Sequence, residues 1–284
     1  MTTASLSADV TPTQLERYAK LIYQKIGVTI SPQKSTLLSN RLRRRLRATG
    51  LSDYDAYYSM LVSTAVTEPE WEAFLQEITT HETFLYRDET HWKWFRDDFL
   101  RSIREEAASG ARNKSLRCWS AACSTGDEAA TMACCIGDTF PDLASWKIEI
   151  VGTDIGAGAV AQASKARFDA RSMRNVKAAQ KHAHFISLPT GEWELKPALR
   201  QLLRFRVHNL LAPLNDRQFD IVFLKNVLIY FDKASKSQVI GSLRSGLKKG
   251  SYLVTGGSEG VADLLKDFSF RHPWLHRFDP QSRS

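Results

Sequence analysis

Cys118-Trp119-Ser120-Ala121-Ala122-Cys123-Ser124-Thr125-Gly126-Asp127-Glu128 decides how this chain folds. An apolar run gives way to a loop of small residues, and two acids open a segment of helical composition. Strand, tight loop and helix start, in that order, form the first unit of a nucleotide-binding α/β sheet. A second apolar run, Ile148-Glu149-Ile150-Val151-Gly152-Thr153-Asp154, ends in a carboxylate. In such sheets that position holds ribose hydroxyls.

The loop lacks the means to hold a phosphate. A dinucleotide fingerprint needs G-x-G-x-x-G so that backbone N–H groups approach the pyrophosphate. Here Gly126 is the only glycine of the loop, and Asp127 and Glu128 follow it. Two carboxylates repel an anion and attract an ammonium. S-adenosylmethionine fits this pattern, with an adenosine, no phosphate and a methionyl ammonium. The plainer reading is that both acids simply favour a helix N-terminus.

Outward from this unit the pattern continues. Apolar runs at 116–119, 147–152, 202–207, 219–224 and 251–255 predict strands, with helical stretches between most of them. This alternation predicts a mostly parallel sheet covered on both faces. Phe268-Ser269-Phe270 and Trp274-Leu275-His276-Arg277-Phe278 predict a terminal antiparallel pair. One interval, near 184–206, breaks the alternation. Phe185-Ile186-Ser187-Leu188, a Pro189-Thr190-Gly191 turn and Trp193-Glu194-Leu195 read as an inserted hairpin.

Toward the N-terminus, residues 1–78 read as a helical domain. Thr11-Pro12-Thr13-Gln14 is a capping box with proline at the first helical position. Leu15, Tyr18, Ala19 and Ile22 follow at helical spacing, and Gly27 ends the helix. Ser31-Pro32 opens a second helix running to Gly50. Ser52 is placed to cap a third, with Asp55 in its first turn. Thr67-Glu68-Pro69-Glu70 is a second capping box. On the second helix Leu38, Leu42 and Leu46 line one side, Arg43, Arg44 and Arg47 point away, and Arg41 and Arg45 flank them. Five arginines within seven positions repel one another. They form either a solvated face or a docking surface for an acidic partner. Residues 79–113 connect this domain to the sheet domain, 114–284. The connection carries Phe84, Tyr86, Trp92, Trp94, Phe95 and Phe99, so much of it must be buried.

Bulk properties narrow the class. A hydrophobic fraction of 43% with 25% charged residues is that of a globular domain. No apolar run of membrane-spanning length occurs, and Met1–Asp9 lacks the basic-then-apolar order of a signal peptide. The four cysteines show neither C-x-x-C nor Cys/His ligand spacing, so no metal is expected. Cys134 and Cys135 read as small core residues, and a reducing cytoplasmic compartment is the simplest fit. The net charge of +8 favours acidic partners.

Several stretches carry a family resemblance. They are Trp119-Ser120-Ala121-Ala122 with Ser124-Thr125-Gly126, then Asp154, Asn209-Leu210, and Phe219-Asp220-Ile221-Val222-Phe223 leading to Asn226-Val227-Leu228-Ile229-Tyr230-Phe231-Asp232. Over nearly its whole length the chain resembles the chemotaxis receptor methyltransferases (the CheR family), S-adenosylmethionine-dependent protein-glutamate O-methyltransferases. The implied fold class is α/β: a Rossmann-like methyltransferase sheet with a small antiparallel β insert and an N-terminal helical domain. The resemblance implies that Glu128 holds the methionyl ammonium, Asp154 the ribose hydroxyls, and Asn209 and Leu210 the adenine side. It places His81, Thr83 and Arg87 in a motif that covers the cofactor and faces the substrate. Lys225 would be a cofactor contact, and Asn226 and Tyr230 would lie beside the reactive methyl, with Arg87 and Tyr230 as the catalytic pair.

The chain departs from the family pattern at four places. His81 stands for asparagine, Asp127-Glu128-Ala129-Ala130 for Glu-Glu-Pro-Tyr, Lys225 for arginine and Gly257 for histidine. The short hairpin matches family members that bind no C-terminal receptor peptide.

The implied partner is the cytoplasmic helical domain of methyl-accepting receptors, with Arg43, Arg44 and Arg47 docking it. The implied product of the cofactor is S-adenosylhomocysteine. Two other readings stand beside this one: a non-catalytic cofactor-binding adaptor, and a methyltransferase acting on RNA or a small molecule. Nucleic acid fits less well, because the arginines share one helix without interleaved aromatics. Nothing in the sequence points to membrane insertion.

Overall fold

The capping box forms as the sequence predicts. In the computed structural model, which describes residues 10–30, 35–65, 68–79 and 82–280, Gln14 N–H donates to Thr11 Oγ1 at 3.2 Å. Thr11 N–H donates back to Gln14 Oε1 at 3.0 Å. Helix α1 runs Pro12–Ile26 and closes at Gly27, whose φ of 72° is left-handed. A side chain at Gly27 would also be crowded, because a Cβ there would sit 2.9 Å from Leu211.

Helices α2 (Ser35–Thr49), α3 (Tyr54–Ser63) and α4 (Pro69–Ile78) complete the helical part. Ser31-Pro32 and Thr67 lie outside the described residues. Helix α4 is entered through Glu68 with no side-chain cap, and Pro69 sets its first turn. Asp53, not Ser52, caps α3: its two oxygens accept from Asp55 N–H and Ala56 N–H, each at 3.1 Å. A carboxylate can accept two N–H groups at once, and this one took the cap from the neighbouring serine. Leu38, Leu42 and Leu46 bury their predicted side against Tyr18, Tyr57, Trp71 and Phe74.

The connection folds into one continuous helical rod: α5 (Glu89–Trp94), a π-helical turn (Phe95–Leu100) and α6 (Arg101–Ala108). It lies on the sheet. Trp92 stacks on Phe223 at 5.1 Å, and Phe95 meets the same ring edge-on at 5.6 Å.

Then come β1 (Ser115–Ala121), α7 (Asp127–Thr139), β2 (Lys147–Asp154), α8 (Ala157–Lys165), β3 (Arg167–Phe168), α9 (Ala178–His184), β4 (Phe185–Ser187), β5 (Trp193–Leu195), α10 (Pro197–Arg200), β6 (Leu203–Val207), β7 (Phe219–Leu224), α11 (Lys233–Leu243), β8 (Leu247–Thr255), β9 (Phe268–His272) and β10 (Leu275–Phe278). The main sheet has the order β6-β2-β1-β7-β8-β10-β9. Strands β6, β2, β1, β7 and β8 are parallel; β10 runs antiparallel to both β8 and β9. Both late segments therefore pair as the sequence predicts.

The insert is a three-stranded sheet, β3-β5-β4, rather than a hairpin alone. The third strand, Arg167–Phe168, is two residues long and carries no periodicity to read. Cys134 and Cys135 are fully buried on α7, and all four cysteines are free.

Chain order reverses at β1. The register pairs Ala121 with both Thr153 and Leu224. The loops after β1, β2 and β7 therefore open side by side, at the point where open α/β sheets bind ligands. The end of α1 reaches the same place. Thr29 N–H donates to the Tyr230 carbonyl at 2.9 Å, and Asn209 Nδ2 donates to the Lys25 carbonyl at 2.9 Å.

Candidate functional site

The loop after β1 is held under tension. Ala122 (φ 60°), Ser124 (φ 51°) and Gly126 (φ 89°) are all left-handed. Non-glycine residues tolerate this only where surrounding structure imposes it. The imposing contacts are short: Cys123 N–H to the Thr153 carbonyl and Ser124 N–H to Asp154 Oδ2, both 2.8 Å. Gly126 is required twice over, by its φ and because a Cβ would lie 2.9 Å from the Ala163 Cβ.

The two acids that open α7 part ways. Asp127 is buried and accepts from Thr125 Oγ1 at 2.7 Å. Its carboxyl is raised by burial, and it does not line the cavity. Glu128 does line the cavity. Ser120 Oγ donates to Glu128 Oε1 at 2.8 Å, and Lys225 Nζ stands 3.8 Å from Oε2. Burial raises the Glu128 carboxyl above the usual carboxylate range, while Lys225 and Ser120 pull it back.

Lys225 follows β7 and is buried over the Trp92 ring at 5.3 Å. Its closer anionic partner is Asp88, at 3.0 Å. Burial works against the Asp88 carboxylate, yet Lys225 holds it below its ordinary value. Asp88 follows Arg87 directly in sequence. Its left-handed backbone (φ 63°) turns it to Lys225 instead. Arg87 donates to the Glu82 carbonyl at 2.9 Å.

Asp154 ends β2 inside the same cavity. Its Oδ1 accepts from Gly156 N–H at 2.9 Å, so each of its oxygens carries one backbone hydrogen bond and keeps a lone pair for another donor. Asn209 and Leu210 also line the cavity; the Asn209 side chain is engaged with the end of α1. Thr83, Arg87, Asn226 and Tyr230 line it as well, whereas His81 lies outside the described residues. From α2 comes Arg41, which sequence reading left on the flank of the basic helix. It donates to the Ile78 carbonyl, and burial lowers its pKa, with Arg44 adding to the effect.

The basic helix is less free than its sequence implies. Arg45 grips Glu70 through two hydrogen bonds at 3.0 and 2.7 Å. Arg44 pairs with Glu77 at 2.7 Å while its side chain stays half exposed. Arg43 donates to Asn40 Oδ1 at 3.3 Å, and Arg47 is exposed. Acids of α4 thus relieve part of the repulsion within α2, leaving an outward basic face centred on Arg44 and Arg47.

Among the described residues no group of three or more His, Cys, Asp and Glu side chains is placed to hold a metal ion. No described helix is long and apolar enough to cross a membrane.

Known proteins resemble this chain along most of its length. Residues 13–79 match the CheR methyltransferase all-alpha domain, and residues 81–273 match the CheR methyltransferase S-adenosylmethionine-binding domain. The chemotaxis protein methyltransferase of Salmonella typhimurium is 30% identical over 90% of this chain and 86% of its own length. That of Klebsiella aerogenes is 31% identical over the same shares. That of Borreliella burgdorferi is 26% identical over 90% of this chain and 91% of its own. Among solved structures, the glycopeptide N-methyltransferase MtfA bound to S-adenosylmethionine aligns with a TM-score of 0.32 at 17% identity, covering 62% of this chain and 57% of that one. Both halves of the chain match, in order, the two parts of one enzyme family, and the carboxylates at the start of α7 and the end of β2 suit its cofactor: this chain belongs to the CheR family of S-adenosylmethionine-dependent methyltransferases.

Proposed function

We propose that this chain transfers a methyl group from S-adenosylmethionine to glutamate side chains in the cytoplasmic helical domain of chemotaxis receptors, giving methyl esters that serve sensory adaptation. The observation that carries this reading is a single cavity whose lining brings the acids Glu128 and Asp154, with Glu82 at the same cavity, together with the guanidinium-bearing Arg41 and Arg87. The carboxylates suit a cationic nucleoside donor, and the guanidiniums suit an incoming carboxylate.

The residues fit the cofactor on physical grounds. Glu128 is a largely enclosed acid whose carboxylate desolvation disfavours, and an ammonium would relieve it. Asp154 keeps acceptor capacity for hydroxyls. Asn209 and Leu210 would flank the adenine, and Thr83, Lys225 and Asn226 would complete the enclosure. When bound, S-adenosylmethionine supplies an electrophilic methyl on a sulfonium.

A glutamate substrate is already ionised at neutral pH, with an ordinary pKa of about 4.3, so no general base is needed. Arg87 orients that carboxylate as a two-pronged donor, and Tyr230 lines the same cavity. Arg87 must hold it loosely, because tight binding of the ground state alone does not raise the rate. Positioning of this kind contributes roughly 7–11 kcal/mol to lowering a barrier.

The direct test incubates the protein with methyl-labelled cofactor and membranes bearing the host's receptors, followed by mild base. Label released as methanol from the receptor band supports the reading. Label that resists base, or that sits on RNA, contradicts it. The outward face of α2 gives a second expectation. Arg43→Ala, Arg44→Ala and Arg47→Ala together should raise the apparent KM for receptor by roughly three- to tenfold and flatten its salt dependence. Affinity for S-adenosylhomocysteine should stay as in the wild type. Unchanged receptor kinetics would remove the docking role.

A further inference from the structure

Glu259 lies outside every role assigned above, yet it is 1% exposed and sits against the loop after β7. It belongs to Gly256-Gly257-Ser258-Glu259, beyond the end of β8. Its Oε1 accepts from Asn226 N–H, and its Oε2 accepts from Ile229 N–H at 3.1 Å. The backbone N–H groups of Val227 and Leu228 also favour its charge. One carboxylate thus fills a concavity lined by successive N–H groups, an arrangement that backbone nests reserve for anions.

Three features show that the fit is built. Asn226 is left-handed (φ 59°), a conformation that asparagine tolerates better than most side chains, and in it the Asn226 N–H donates to Glu259. Gly256 leaves room, because a Cβ there would lie 2.7 Å from Glu259 Oε1 and 3.3 Å from Asn226 N. Lys236 of α11 donates to the Glu259 carbonyl at 2.6 Å and anchors the segment from behind. Burial raises the Glu259 carboxyl, and the backbone donors of the loop pull against it. The loop so gripped carries Asn226 and Tyr230, which line the cavity.

We propose that Glu259 is a positioning residue for methyl transfer, fixing the loop between β7 and α11 so that Asn226 and Tyr230 hold their places on the cavity wall. The inference rests on the receptor-methyltransferase reading above. A carboxylate suits the task because hydrogen bonds to an ionised acceptor are about twice as strong as neutral ones. Glutamine has the same shape but turns an N–H₂ toward a backbone N–H, so one contact is lost and the loop shifts.

The test compares wild type, Glu259→Gln, Gly256→Ala, Tyr230→Phe and the double variant Glu259→Gln/Tyr230→Phe. Each is assayed for receptor kcat and KM, for S-adenosylhomocysteine affinity and for Tm. Glu259→Gln should lower kcat by roughly 10- to 100-fold, the scale of an ångström-sized misplacement. Its receptor KM should stay within about threefold, and its affinity for S-adenosylhomocysteine should fall by less than kcat does, because Asn226 only helps enclose the cofactor while the carboxylates proposed to hold it are elsewhere. Gly256→Ala should reproduce the kcat loss with the acid intact, and it carries the test if the glutamine variant does not fold. The double variant should be no slower than the slower single variant, because both act through one loop. An unchanged kcat in both Glu259→Gln and Gly256→Ala overturns the proposal. So does a loss that adds fully to that of Tyr230→Phe. A wild-type protein inactive on receptors overturns the functional reading instead, and the two failures are told apart by the wild-type assay.

Discussion

Glu128→Gln is expected to weaken binding of S-adenosylhomocysteine by about 100-fold. The largely enclosed carboxylate faces the cavity with one oxygen on Ser120 and the other 3.8 Å from Lys225. Glutamine keeps the size and the Ser120 contact but drops the charge. Removing one partner of a desolvated charge pair costs about 2–5 kcal/mol, and each tenfold in affinity is about 1.4 kcal/mol. Lys225 adds to the loss, because its ammonium would then repel the ligand's own with only Asp88 to offset it. Calorimetry against 5′-methylthioadenosine, which lacks the amino-acid arm, gives the control. That ligand should bind both proteins alike. Equal losses for both ligands would mean that Glu128 acts on the fold rather than on an ammonium.

The same residue sets a pH dependence. Burial raises the Glu128 carboxyl in the free protein, although Lys225 and Ser120 oppose the shift. An ammonium ligand lowers it again, so binding favours the ionised form. Affinity should therefore hold at pH values above the raised pKa and fall as pH drops through it. In Glu128→Gln that acidic decline should disappear.

Local signals were the ones that could be read from sequence. Thr11 and Gln14 cap each other across three residues, so their box depends on nothing distant. Strand β7 is buried along its whole length, and a fully covered parallel strand announces itself as an unbroken apolar run. Asp154 was legible for a similar reason, as the carboxylate closing such a run. The failures are of another kind. Which of Asp127 and Glu128 faces the cavity depends on the pitch of a loop whose left-handed residues include Ala122 and Ser124, residue types that do not advertise positive φ. Asp88 meets Lys225 only because two distant loops converge. Arg44 and Arg45 looked like free charge until α4 brought Glu77 and Glu70 beside them. A charge run on one helix cannot reveal the acids on its neighbour. Strand β3, with two residues, pairs because β5 offers it an edge. Tertiary context made it, and no window of sequence contains that context.

Asp154→Asn should weaken S-adenosylhomocysteine by roughly 30- to 100-fold, and a thermodynamic cycle can show why. The carboxylate has two jobs available. It anchors the tense loop after β1 through Ser124 N–H at 2.8 Å and accepts from Gly156 N–H at 2.9 Å. Each oxygen also keeps a lone pair free for a further donor, such as a ribose hydroxyl. Asparagine must present its N–H₂ to one of those backbone donors, so both jobs suffer. The 2′,3′-dideoxy analogue of S-adenosylhomocysteine separates them. If Asp154 binds the ribose, the wild type should lose affinity for the analogue, and Asp154→Asn should lose little more. The coupling would then be about 1.5–3 kcal/mol, the usual worth of hydrogen bonds to a charged group. If Asp154 only braces the loop, the substitution should weaken both ligands by the same factor and the coupling should vanish. A vanished coupling would leave Glu128 as the chief anchor of the cofactor and would move the ribose to another part of the wall.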